Sequence, residues 1–106
     1  MNNQLFKTGT THITQDIHRA TKNNPEFAMF IIECENQHKT GYWGNLCDED
    51  RQANNYAVYN NERILSSYEI PKHLNIKNGF DEKEHKIWII TEADRSLTTI
   101  LFPSEY

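Results

Sequence analysis

The spacing of apolar positions changes character along the chain. From Phe27 onward they recur as Phe27, Phe30, Ile31 and Cys34, at i, i+3, i+4 and i+7, which is the stripe of a helix with one buried face. Asn24 stands before it as a cap and Pro25 at the first helical position. The helix is predicted to run to about His38, with Gly41 just beyond. From His85 to Thr91 the helical period is gone. Ile87, Trp88, Ile89 and Ile90 are continuous, which predicts a strand covered on both faces. Leu97 to Phe102, closed by Pro103, is its expected antiparallel partner across the Glu92–Ser96 turn, and Ile64 to Ile70, stopped by Pro71, is a further strand.

Weaker patterns fill the rest. Leu5 to Ile13 is threonine-rich and reads as a first strand, with Gly9 as a possible bulge. Thr14 is placed to cap a short helix from Gln15 to Lys22. Asp48, Glu49 and Asp50 suit the positive end of a third helix, with Ala53, Tyr56 and Ala57 as its expected buried face and Asn60-Asn61 as its end. Lys72 to Glu84 is polar, contains the Asn78-Gly79 turn signal, and reads as an exposed loop or insertion. The order β-α-α-α-β-β-β argues for an α+β fold: a small antiparallel sheet, joined by the N-terminal strand, with helices packed on one face.

The chain of 106 residues has room for one domain, residues 1–106, and one core. Such a chain buries roughly 60–65% of its unfolded surface, enough without metal or disulfide help. No apolar run approaches the ~20 residues of a membrane span, and the Met1-Asn2-Asn3-Gln4 start has neither the basic nor the apolar stretch of a signal peptide. The expected location is the cytoplasm, with Cys34 and Cys47 as free thiols. The net charge of −4 and the scattered Lys and Arg disfavour direct nucleic-acid binding, which usually leaves a basic stripe.

Candidate chemistry is sparse. Cys34 and His38 share a helix face at i, i+4, and with Cys47 they could in principle hold zinc. No C-x-x-C pair accompanies them, however, and Cys34 simply continues the apolar stripe, so no metal and no cofactor are predicted. Asp48, Glu49 and Asp50 point in different directions on a helix and are explained by its dipole. Cys47 precedes an acidic run, which works against a reactive thiolate. No serine sits in a nucleophile elbow, and the four glycines form no phosphate loop. Trp43, bracketed by Gly41 and Gly44, is either a core anchor or a contact residue. Glu92, Asp94 and Arg95 occupy a turn that needs polar residues whether or not it has a function.

Two segments carry a resemblance. One is Trp43-Gly44-Asn45-Leu46-Cys47-Asp48-Glu49-Asp50, with Asn54 and Arg63. The other is Ile87-Trp88-Ile89-Ile90-Thr91-Glu92-Ala93-Asp94-Arg95-Ser96, continuing through Thr98-Thr99-Ile100-Leu101-Phe102-Pro103-Ser104-Glu105-Tyr106. Together they resemble a family of short plasmid- and phage-associated bacterial proteins, some labelled as a type I restriction subunit. The chain departs from that pattern at Asn45 (Asp in the family), at Ala93 (often Trp) and in the Lys72–Glu84 stretch. The resemblance implies mobile-element cargo, a setting in which small proteins often block host restriction or CRISPR complexes. The expectation is therefore a non-catalytic binding protein with a protein partner, such as a basic nuclease complex. Its binding residues are expected among Trp43, Asp48, Asp50, Glu92, Asp94 and Arg95, gathered on one side. A small enzyme or ligand-binding domain using the 43–50 and 92–96 segments, and a homo-oligomeric accessory protein, are the alternatives.

Overall fold

In the computed structural model, which describes residues 4–74, 76 and 85–106, the helices start where their capping residues predict. Thr14 accepts from the Ile17 N–H and opens α1 (Gln15–Thr21). The Asn24 side chain accepts from the Phe27 N–H at 3.0 Å, Pro25 takes the first position, and α2 runs over Pro25–Lys39. The third helix, α3, spans Asp48–Asn60 with three carboxylates in its first turn, and Asn61 ends it in the left-handed region. The strands are β1 (Thr10–Ile13), β2 (Ile64–Glu69), β3 (Lys86–Thr91) and β4 (Leu97–Leu101), in sheet order β1-β4-β3-β2. The result is the α+β class expected, with three α-helices and a four-stranded sheet among the described residues.

The sheet is mixed rather than wholly antiparallel. β2-β3-β4 is an antiparallel meander, while β1 runs parallel to β4 with Thr10 opposite Leu97 and Ile13 opposite Ile100. β1 is also shorter than predicted. Gly9 has φ +62°, which ends the extended conformation, and a methyl group there would overlap the Ser96 carbonyl.

One sheet face is covered. Tyr68, Ile87, Ile89 and Ile100 meet Ile17 of α1 and Phe27, Ile31 and Cys34 of α2, with Phe102 below them. Phe6, Trp43, Ala57 and Ile64 form a second cluster beside it. Leu74, at the end of the short 3-10 turn Lys72–Leu74, and Ile76 are buried in the main core, so the start of the polar 72–84 stretch is an anchor and not an exposed loop; 75 and 77–84 lie outside the described residues.

Among the described residues the opposite face carries no helix, and the expectation that β3 is covered on both sides holds only in part, since Ile90 and Leu101 are buried on that face while Trp88 is not. Ile87, Ile89 and Thr91 point into the core, but Trp88 is only half-buried, alternating to the open face with Ile90. Arg63, Leu65, Leu97 and Thr99 share that face by register. Tyr106 lies over it. Its ring meets the edge of Trp88 at 5.7 Å, and its hydroxyl accepts from Arg63 at 2.6 Å. A second correction concerns α3, which buries Asn54 and Ala57 while Ala53 is exposed and Tyr56 is 60% exposed.

Candidate functional site

The face of α3 is explained by what it covers. β2 is an edge strand, and an open edge is a template for unwanted pairing. Here it is closed along its length. The Asn54 amide donates to the Leu65 carbonyl at 2.6 Å and accepts from the Leu65 N–H at 3.3 Å. Ser67 bonds through its N–H to Trp43 and through its carbonyl to the Asn45 N–H. The Glu69 N–H reaches the Asn45 side-chain oxygen at 2.9 Å. An aspartate at 45 would offer the same oxygen, so Asn and Asp are equivalent for this contact. Gly44, at φ +77°, lies so close to β2 that a methyl group would overlap the Ser67 carbonyl.

Beneath the sheet runs a buried polar chain that was not evident from the sequence. His38 is fully buried, with Nδ1 on the Ser66 hydroxyl and Nε2 on the Thr91 hydroxyl at 2.8 Å. Thr91 continues to the Thr98 hydroxyl at 2.7 Å, and Thr98 donates to the Thr8 carbonyl at 2.7 Å. That last acceptor orders the hydroxyl protons. Thr98 spends its hydrogen on Thr8, so Thr91 donates to Thr98 and must then accept from Nε2–H. Burial, with the Lys39 cation adding to it, pushes the His38 pKa down to about 3, so the imidazole is neutral and Nδ1 accepts from Ser66. A serine on a histidine nitrogen is the arrangement of an activated nucleophile. Both residues, however, have no solvent exposure, and the other imidazole nitrogen bonds a threonine instead of an orienting carboxylate. The chain is a folding element.

Cys34, His38 and Cys47, the set weighed and set aside for zinc, do not come together as ligands. Cys34 is buried, its thiol pushed up to about 12 by burial and by the Glu33 carboxylate. Cys47 is exposed at the cap of α3, and neither nitrogen of His38 is free. Among the described residues no three His, Cys, Asp or Glu side chains converge as a metal site requires.

The six candidate binding residues divide between interior, helix cap and surface. Trp43 is a core anchor, packed against Phe6 and His38, with its indole N–H donated to Asn55 at 2.9 Å. Asp48 and Asp50 are exposed at the start of α3. Arg95 sits at the other end, donating to the carbonyls of Ala57 at 2.8 Å, Glu62 at 2.7 Å and Glu92 at 3.2 Å, with its guanidinium over the Phe6 ring at 5.6 Å. That cation caps the negative end of α3. The spacing from Asp48 or Asp50 to Ala57 is about 10–14 Å along the helix axis at 1.5 Å per residue. Asp94 accepts from the Ser96 N–H at 3.0 Å and hydroxyl at 2.6 Å, which lowers its pKa and shapes the β3–β4 turn. Glu92 approaches Arg63 at 3.7 Å, both half-exposed. The 43–50 and 92–96 segments therefore meet inside the molecule, through Phe6, and not as one surface site.

Among the described residues, the sheet face without a helix is the one left partly accessible, although Ile90 and Leu101 are buried on it. Leu65 and Leu97 are half-buried there beside Trp88 and Tyr106, and the face runs into an open depression of about 190 Å³ lined by Leu46, Asp50, Asn54 and Leu65. That volume is below the roughly 300–1,000 Å³ of small-molecule pockets. The described residues include no helix long and apolar enough to cross a membrane. Comparison with protein-family models, curated proteins and solved structures finds no match to the chain.

Proposed function

We propose that the chain is a non-catalytic binding protein that engages a protein partner through the uncovered face of its sheet. The observation that carries this reading is the partial exposure of Leu65, Leu97 and Trp88 on that face, with the exposed Tyr106, beside the Leu46–Asp50 depression. Contiguous apolar surface rimmed by polar groups is the signature of an interaction site. The rim is mainly acidic where it borders α3, and the net charge of −4 favours a partner with a basic surface. A nuclease complex of host defence, restriction or CRISPR, presents such a surface, which accords with the mobile-element setting that the sequence resembles. The chemistry that would support an enzyme is otherwise engaged: Ser66 and His38 are sealed, Arg95 caps a helix and Asp94 shapes a turn.

The test is plasmid interference in cells carrying a restriction or CRISPR system, with and without the protein. The expected result is rescue of the targeted plasmid, lost on Leu65→Lys and weakened by Asp50→Lys, and retained on Ile32→Lys, which changes an exposed residue of α2. Folding of each variant is checked by its melting temperature. No rescue by the wild-type chain, or equal loss with Ile32→Lys, would sink the proposal.

A further inference from the structure

The two edges of the sheet are treated in opposite ways. β2 is closed by the Asn54 amide, the Trp43–Asn45 backbone and the Asn45 side chain. β1 is left open, with all four of its residues exposed. The Thr10 and Thr14 N–H groups bond to Ser96 and Ile100 of β4 or its approach. By strand alternation, the N–H and C=O groups of Thr11 and Ile13 then point outward, and among the described residues they have no partner.

We infer that β1 is a self-association edge, whose occupant is the β1 of a second copy running antiparallel. The argument is one of register. Pairing centred on Thr11 would set Ile13 against Gly9, whose φ of +62° is not extended; pairing centred on Ile13 would set Thr11 against Gln15, already in α1. Pairing centred on His12 sets Thr11 against the other copy's Ile13 in both directions, so all the outward groups of the strand find partners in four hydrogen bonds. The same register places the 42%-exposed Ile13 beside a threonine methyl, a favourable β-branched pair. It also puts the two His12 side chains in a non-hydrogen-bonded pair, with Cβ atoms about 4.5–5.5 Å apart. No residue of β1 carries a fixed charge to oppose the contact. The two sheets become one of eight strands, and the uncovered faces lie side by side.

A four-residue strand buries less than the ~1,000 Å² of a stable interface, so the dimer is weak, with a dissociation constant of about 0.1–1 mM. Proximity at the dyad is read by cross-linking. In a Cys47→Ser background, His12→Cys is expected to form an intermolecular disulfide at least about tenfold faster than Lys22→Cys, an exposed site beyond α1, because close cross-strand Cβ atoms suit the bond. Adding Thr11→Pro removes one outward N–H per copy and leaves every bond to β4 in place. It should cut the cross-linking rate about tenfold with the melting temperature within a few degrees. Sedimentation of the wild-type chain at about 1 mM should show dimer. Monomer at that concentration, equal cross-linking at 12 and 22, or a dimer indifferent to Thr11→Pro would each overturn the inference.

Discussion

Lowering the pH from 7.5 to 5 should destabilise this protein through His38. In the folded state the imidazole is neutral, enclosed and bonded at both nitrogens, with its pKa pushed down to about 3. In the unfolded chain it has the ordinary value near 6.5. Unfolding therefore takes up a proton at any pH between these values, and stability rises with pH across that window. Above about 6.5 the group imposes no penalty. Below it, the loss approaches 1.36 kcal/mol per pH unit, or about 2 kcal/mol at pH 5. That is a large share of the ~5–15 kcal/mol of a typical domain. Asp94, whose pKa is lowered, works in a separate window beginning near its ordinary value of 3.8, so it leaves the range above pH 5 untouched. Urea denaturation at pH 7.5, 6.5, 5.8 and 5.0 measures the slope. His38→Gln keeps a donor and an acceptor without the titration; it should be less stable at pH 7.5 and flatter in pH. A wild-type stability that is flat from pH 7.5 to 5, or a His38→Gln variant with the same slope as wild type, would refute the reasoning.

Arg95→Ala removes charged hydrogen bonds to three carbonyls and should cost about 2–4 kcal/mol in denaturant unfolding; Arg95→Gly should recover roughly 1 kcal/mol of that, because Arg95 sits at φ +62°. A loss under about 0.5 kcal/mol for Arg95→Ala would discard the capping role. Gly44→Ala, which drives a methyl into the Ser67 carbonyl, should lower stability by about 3 kcal/mol or more, and an unchanged melt would show that the Gly44 contact is loose. Trp88→Ala should cost about 1.5–3 kcal/mol, less than the ~3–5 of a fully enclosed aromatic, since the ring is only half-buried against Tyr106. Titration of the native protein with a thiol reagent should label Cys47 promptly and Cys34 only on unfolding; rapid labelling of both would contradict the burial and raised pKa of Cys34.

Local signals were legible in the sequence wherever one residue type does one local job. Thr14, Asn24-Pro25 and the Asp48–Asp50 run mark helix starts because orphan N–H groups and the helix dipole need nearby oxygens and charges. Long-range choices were not. Nothing near Thr10 says that its partner is Leu97 or that the pairing is parallel, because that depends on which strand is left with a free edge. On α3, reading apolar residues as the inward face favours Ala53 and Tyr56, whereas the edge of β2 needs hydrogen-bonding groups and takes Asn54 instead. His38 lies four residues beyond Cys34 on the same stripe, and inward alternation places Ser66, Thr91 and Thr98 beneath it. Each alone looks like an ordinary polar residue, and only their convergence makes a network. Arg95 stood among turn residues, and its role as a helix cap appears only once the end of α3 is brought beside the turn.

The parallel join of β1 to β4 also sets an order of events in time. α3 and β2 are close in sequence, Asn54 meeting Leu65 across a short connection, and β3 and β4 share a tight turn, so both units can form with little loop-closure entropy. β1 must find Ser96 and Leu97 from nearly the whole chain away. Contacts of that span form late, after the meander supplies a surface to dock on. By the same logic β1 is the first strand to leave under partial unfolding. The amides of Thr10 and Thr14 should then exchange with solvent ahead of those in β3, and substitutions in β1 should change the unfolding rate more than the folding rate.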